Sequence, residues 1–489
     1  MTFAAPGTTP SGAQADSSGE FRGLTGLRIV AAVWVVLFHV HFTALAGVTE
    51  VVGVLGPLIT SGALGVDLFF VLSGFVIAHT YLATMGPTLR AGATARFVWA
   101  RFCRMWPVYA CVFHLFGLWL LARLVFGSDD DIAFQGVQPV MSVGQWVQQL
   151  FMVQMWDNEF LDGASWVGST WSISAEWLAY LLFPVAALVF FRLRNLPLLV
   201  LGAGALVLML PIASSYATVG HPYYEWSWVT RILCGFAAGV LVQLVVARLP
   251  RTEPVRRAAS RLSVVLPVLI GAGLWFGELL GPGRGGMVII WFPLLVGAIA
   301  LADRGPALVL SRPAMVHGGR VSYSLYLVHI PMLELLWLAQ AYVPALRGGM
   351  TGHVVAAVVV LTTYPVAAAA FRWVEEPARR RLRRVSFRGV TLPRPSLLRP
   401  SARRAQGTTN RPAPAGRPLP ADPALPAARE QAGGYVPPAP RHAAGPSRQP
   451  TLAAALVHAQ GRRPAHRADG WGTLERVVRV RSAVSHAGG

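Results

Sequence analysis

Ten long apolar segments recur along this chain of 489 residues, and they constrain its fold more than any other feature. A helix that crosses about 30 Å of hydrocarbon needs about 20 apolar residues, because each residue adds about 1.5 Å. Hydrophobic residues make up 54% of the chain and charged residues only 13%, unlike ordinary water-soluble domains. The sequence therefore predicts an all-α, polytopic helix bundle in the cell membrane. The predicted spans lie near residues 24–46, 57–83, 105–127, 171–191, 196–216, 229–247, 262–280, 286–302, 321–343 and 350–373.

The placement of arginine predicts how these spans are oriented, since short cytoplasmic loops accumulate positive charge. With the N-terminus inside, the inner loops hold fourteen arginines, whereas the outer loops hold only Arg284 and Arg347. The long outer loop, residues 128–170, instead carries acids and three tryptophans that suit a segment lying at the membrane interface over an outward-facing site. We expect both termini to be cytoplasmic.

The net charge of +20 belongs almost wholly to the end of the chain. Residues 379–489 hold 21 Arg against 4 acids, whereas residues 1–378 hold 21 Arg against 18 acids. The basic segment is rich in Pro, Ala and Gly, so we expect it to be a disordered tail that either adheres to anionic lipid headgroups or has no role. Residues 1–20 are also predicted to be disordered. This distribution argues against a nucleic-acid partner for the membrane domain, and three scattered cysteines predict no disulfide framework or metal site.

Ionisable residues inside the predicted spans form a pattern in depth. Each costs about 2.5 to 3.5 kcal/mol at the centre of a bilayer, so several together normally face a cavity and serve chemistry or transport. Arg28 lies near the inner end of the first span, and His39 lies about 16 Å further outward. Asp67 in the second span and Glu176 in the fourth are predicted at a similar depth to His39. Alternatively, the two carboxylates are structural partners of arginines.

Arginines occupy the opposite, cytoplasmic layer. The stretch "RFVWARFCRMWP" carries Arg101 and Arg104 where the third span begins, and Arg28 faces the same layer. A guanidinium group offers a planar fork of donors that matches the oxygens of a phosphate, so the cluster predicts a phosphorylated cytosolic ligand. The alternative is that these arginines only mark topology and reach to lipid headgroups.

Five motifs in order resemble the acyltransferase family 3 membrane proteins. They are an Arg and a His separated by ten residues in the first span, then "GVDLFFVLSGFVI", "RFCRMWP", "WSISAEWLAY" and "SYSLYLVHIP". The resemblance covers residues 20–378, and within it we expect a membrane-embedded acyltransferase domain over residues 21–378. The resemblance implies transfer of an acyl group from acyl-CoA to a hydroxyl of a glycan, lipid-linked sugar or secondary metabolite. We expect the acyl group to be acetyl. The resemblance implies no permanently bound cofactor.

The resemblance and the depth pattern together predict a division of labour. We expect neutral His39 to take the proton of the acceptor hydroxyl as a general base, with Glu176 or Asp67 orienting the imidazole. The residues expected to bind the acyl-CoA donor are Arg28, Arg101, Arg104, Ser73, Tyr323 and Tyr326. Two alternatives remain: Ser73 beside a glycine can serve close helix packing, and the two tyrosines can bond across helices.

The strongest competing hypothesis is a proton-coupled transporter of a small polar compound, because buried His, Asp and Glu also act as proton relays. Such transporters often contain internal repeats and broken helices, and the two halves of this chain show no convincing repeat. A transporter would work without acyl-CoA, whereas the enzyme would not.

Overall fold

The computed structural model describes residues 20–127 and 131–384, and within these ranges ten helices are long and apolar enough to cross a membrane. No β-strand occurs among the described residues, so the predicted all-α membrane bundle is confirmed. The predictions for residues 1–19 and for the tail beyond residue 384 lie outside the described residues, and the cytoplasmic placement of both termini stays a prediction. We label the helices α1 (Arg22–Val40), α2 (Leu64–Met85), α3 (Ala91–Phe126), α4 (Gly168–Leu193), α5 (Leu198–Val219), α6 (Ser227–Arg248), α7 (Glu253–Leu280), α8 (Arg284–Leu301), α9 (Pro313–Tyr342) and α10 (Gly349–Leu382).

Several helices begin earlier than the hydropathy pattern predicts. Helix α3 starts at Ala91, whereas the predicted span started at residue 105, and its first turns contain alanine and arginine. Both residue types favour helix, so the helix continues into a polar stretch that an apolar pattern does not detect. Helix α1 ends earlier than predicted, at Val40, and a separate helix, Ala46–Leu55, follows it.

Helices α2 and α6 cross with their backbones in contact. A Cβ atom added at Gly74 would lie 1.9 Å from the carbonyl oxygen of Phe236, and one added at Gly239 would lie 2.0 Å from that of Val71. Small residues allow this approach, which is the ordinary way for membrane helices to pack tightly. The crossing fixes α2, which carries both Asp67 and Ser73.

This crossing gives a prediction about stability. The Gly74→Ala variant is expected to unfold at a lower temperature, because the added methyl overlaps a backbone oxygen and overpacking costs about 1–3 kcal/mol. Thermal unfolding of the purified protein in detergent would measure the loss. Gly202→Ala is the matched control, since nothing lies within 4 Å of the added Cβ. Equal unfolding temperatures for both variants would contradict the close crossing.

The segment between α3 and α4 packs against the middle of α3 through two hydrogen bonds, and its position at the membrane interface stays a prediction. The indole Nε1 of Trp106 donates to the carbonyl oxygen of Leu150 at 2.9 Å. The hydroxyl of Tyr109 donates to the carbonyl oxygen of Gln149 at 2.8 Å. Tyr109 precedes Phe126, the last residue of α3, by 17 residues, or about 25 Å of helix. Both carbonyl groups belong to the last turn of a short helix, Val143–Leu150, and the Gln149 side chain is buried.

Candidate active site

Helix α9 supplies the central buried face on which the site is built. The hydroxyl of Tyr323 donates to the carbonyl oxygen of Met105 at 2.9 Å, and that of Tyr326 donates to the carbonyl oxygen of Ser169 at 2.7 Å. One turn further along, His329 is fully buried. Both tyrosines expected to bind the donor therefore bond across helices, which is the alternative use considered for them.

A pair of imidazoles lies beside this face. His39 Nδ1 is 2.9 Å from the carbonyl oxygen of Val35, one turn earlier on α1, and 3.3 Å from His329 Nε2 on α9. The ring centroids of the two histidines are 4.9 Å apart, and both side chains are buried. His39 was selected from the sequence, whereas His329 was not.

A buried ion pair joins the arginine layer to the end of α10. Arg104 Nη1 donates to Glu375 Oε1, and the hydroxyl of Ser324 donates to Glu375 Oε2 at 2.7 Å. The Arg104 guanidinium carbon also lies 5.2 Å from the ring centroid of Tyr323. Glu375 is fully buried in a stretch of π-helix, a local widening that often marks functional positions. The sequence analysis did not select it.

Two further arginines have hydrogen-bond donors that are not used within the described part of the protein. Arg28 stacks on Phe69, with its guanidinium carbon 5.7 Å from the ring centroid, and Arg101 Nη2 donates to the hydroxyl of Tyr81 at 3.2 Å. The Nε atoms of both arginines are buried and have no hydrogen-bond partner among the described residues. Unsatisfied cationic donors are costly in a protein interior, so these two groups fit a ligand that brings oxygen acceptors.

Glu176 lies with the arginines. Its Oε1 accepts hydrogen bonds from Ser73 Oγ at 2.7 Å and from the hydroxyl of Tyr180. Arg28 and Arg104 are within electrostatic range of this carboxylate. Ser73 lies six residues, or about 9 Å, further along α2 than Asp67, so the structure separates two carboxylates that the sequence placed at a similar depth.

Asp67 forms a separate buried ion pair. Arg231 Nε donates to Asp67 Oδ1 at 2.9 Å, and Arg231 Nη2 donates to Asp67 Oδ2 at 2.7 Å. The side chains are only 1% and 2% exposed, and the guanidinium carbon lies 4.7 Å from the ring centroid of Trp171. The structure thus gives Asp67 an arginine partner, the alternative that the sequence analysis had weighed. Arg231 itself was not selected.

A membrane bundle that gathers charged and titratable side chains at its centre belongs to the class of integral membrane enzymes and transporters. Similarity to known proteins decides between the two. Residues 21–372 match the family described as "Acyltransferase domain", and the chain belongs to this family. It is a multi-pass, membrane-bound O-acyltransferase that uses an acyl donor and a hydroxyl acceptor.

Several curated relatives support this assignment. The chain is 28% identical over 353 residues to Acyltransferase MdmB of Streptomyces mycarofaciens, covering 68% of this chain and 81% of MdmB. It is 26% identical to the putative membrane-bound transacylase BcsY of Komagataeibacter xylinus, covering 63% and 72%. It is also 26% identical to the peptidoglycan O-acetyltransferase OatA of Listeria monocytogenes, covering 73% of this chain but only 55% of OatA. No solved structure matches the chain at a significant level.

Proposed function

We propose that the protein transfers an acyl group from acyl-CoA to a hydroxyl of a sugar or secondary metabolite at the membrane. The observation that carries the donor assignment is the separation of Arg28 from His39, eleven residues apart on the same helix and so about 16 Å apart along it. An acyl-CoA has this form, with phosphates at one end, the thioester at the other and an extended arm between them. The buried, unpartnered Nε atoms of Arg28 and Arg101 support phosphate binding at the predicted cytoplasmic end.

The reaction needs one base at the other end of the donor. His39 Nδ1 faces the carbonyl oxygen of Val35, which can only accept, so the hydrogen resides on Nδ1 and Nε2 keeps its lone pair. Nε2 of His39 removes the proton from the acceptor hydroxyl as that oxygen attacks the thioester carbonyl. Collapse of the tetrahedral intermediate breaks the C–S bond and expels the CoA thiolate, which takes up the proton from the imidazolium. No covalent enzyme intermediate is formed.

The names of the relatives indicate the class of acceptor only in general terms. OatA is described as acting on peptidoglycan, whereas the name of MdmB specifies no acceptor. MdmB is named as an acyltransferase and OatA as an O-acetyltransferase, so acetyl is the first acyl group to test. We propose a carbohydrate or metabolite hydroxyl presented at the outward end of the site, beside His39.

Donor binding gives the direct test of this function. The Arg28→Gln variant is expected to bind acetyl-CoA about 10- to 150-fold more weakly, since hydrogen bonds to charged groups contribute about 1.5–3 kcal/mol. Binding and slow thioester hydrolysis would be measured on full-length protein in lipid nanodiscs. Arg28 is a better test than Arg104, because removing Arg104 would also leave Glu375 buried without its cation.

Arg257→Gln is the matched control, because it also removes one positive charge but from an exposed side chain paired with Glu253. It is expected to bind acetyl-CoA like wild type. If wild type binds neither acetyl-CoA nor longer acyl-CoAs, the donor is a different acyl carrier and the proposal fails. Equal affinities of Arg28→Gln and wild type for acetyl-CoA would show that the arginines do not bind the donor.

A further inference from the structure

His329 is a buried side chain beside the proposed base, and the reaction has not yet used it. It lies on α9 and is fully buried, and its Nε2 atom is 3.3 Å from His39 Nδ1. The two ring planes are inclined at 62°. The atoms that face each other are therefore one nitrogen from each imidazole, and the hydrogens on the two rings must be arranged together.

The carbonyl group of Val35 fixes that arrangement. The carbonyl oxygen of Val35 requires a hydrogen on His39 Nδ1, so His329 Nε2 can meet that N–H only as an acceptor. A neutral imidazole that accepts at Nε2 carries its hydrogen on the other nitrogen, so the hydrogen of His329 is on Nδ1, which is buried and has no hydrogen-bond partner among the described residues. Both rings are then neutral, and the lone pair of His329 Nε2 points at His39 Nδ1–H.

We propose that His329 is a positioning residue for the acyl transfer, which holds His39 in the tautomer that exposes a basic Nε2 and stabilises the imidazolium. This inference rests on the proposed function. In hydrolytic triads a carboxylate orients the histidine from its Nδ1 side. Here a neutral imidazole occupies that position, while Asp67 is engaged by Arg231 and Glu176 by Ser73 and Tyr180.

The proton inventory is balanced throughout. When His39 Nε2 takes the proton of the acceptor hydroxyl, the positive charge spreads over its ring, and Nδ1–H points at two acceptors, the Val35 carbonyl oxygen and His329 Nε2. His329 neither gains nor loses a proton. When the proton passes to the CoA thiolate, both rings return to their starting tautomers. His329 therefore acts only through His39 and does not touch the substrate.

Three substitutions at His329 separate this role from packing. His329→Leu keeps an apolar volume but removes the acceptor, and we expect turnover at saturating donor to fall about 10- to 100-fold, as when other residues that orient a functional histidine are lost. His329→Gln places an amide oxygen near the position of Nε2 and is expected to recover most of the turnover. The shorter His329→Asn reaches only the position of Nδ1 and is expected not to recover it. Donor affinity should stay at the wild-type value in all three.

A double-substitution experiment supplies the second readout. In a His39→Ala background, His329→Leu is expected to cause no further loss of turnover, because a residue that acts only through His39 has nothing left to act on. His114→Leu is the control, since the ring of His114, within α3, contacts the carbonyl oxygen of Ala110 and accepts from Trp146 Nε1. That variant should leave turnover unchanged in the wild-type background.

Different results would overturn the two proposals separately. If His39→Ala is inactive and His329→Leu turns over like wild type, the positioning role is wrong while the general base stands. Equal losses for the Leu, Gln and Asn variants, together with lower unfolding temperatures, would show that His329 only packs. Full turnover in His39→Ala would instead overturn the proposed base itself, together with any role that depends on it.

Discussion

Replacing His39 by alanine is expected to lower the turnover of acyl transfer by about 10²- to 10⁴-fold, the range that a positioned general base contributes. Donor affinity should be retained, because Arg28 lies about 16 Å away along the helix axis. The measurement is acyl transfer or thioester hydrolysis at saturating acetyl-CoA, beside donor binding, for full-length protein in nanodiscs. The two readouts together separate loss of chemistry from loss of the donor site.

His41→Ala is the matched control for this prediction. His41 lies two residues after His39, is only partly buried, and its Nδ1 contacts the carbonyl oxygen of Phe38. It therefore shares the end of α1, and its Nδ1 contacts a carbonyl group of the same helix. Comparable losses in both variants would mean that the end of the helix, not the imidazole of His39, determines turnover.

The membrane fold was largely predictable, because the bilayer imposes a length and an apolar composition on every span. All ten predicted spans correspond to helices. Hydropathy did not predict the polar start of α3 at Ala91 or the contacts that Gln149 and Leu150 make with α3. Those contacts are hydrogen bonds from Trp106 and Tyr109 to backbone carbonyls, and no local pattern in the sequence encodes them.

Site residues were predictable when their depth in a membrane span was enough to single them out. They were not predictable when their role depends on a partner that is distant in the sequence. Arg28 and His39 stand out because charge inside a span is costly. His329 becomes relevant only through a contact with a residue 290 positions earlier, and Glu375 through one 271 positions earlier. Tertiary packing creates these pairs, so a single sequence ranks such residues with the structural ones.

The Asp67→Asn variant is expected to destabilise the folded protein by about 3–5 kcal/mol, because it leaves the Arg231 guanidinium buried without its counter-charge. Unfolding in detergent or bicelles would measure the change. Asp67→Leu combined with Arg231→Met is expected to recover much of the loss, since the double variant buries no unpaired charge. Glu253→Gln is the control, because surface ion pairs contribute only about 0–1 kcal/mol.

The same variants decide what Asp67 does in the reaction. The sequence predicts that Asp67 or Glu176 supports His39, whereas both oxygens of Asp67 accept hydrogen bonds from Arg231. If the pair is structural, turnover per folded molecule should match wild type in the Leu/Met double variant, which lacks the carboxylate. If Asp67 supports the base, that double variant should be stable but slow. If the double variant has normal stability but has lost turnover, Asp67 and Arg231 both take part in catalysis.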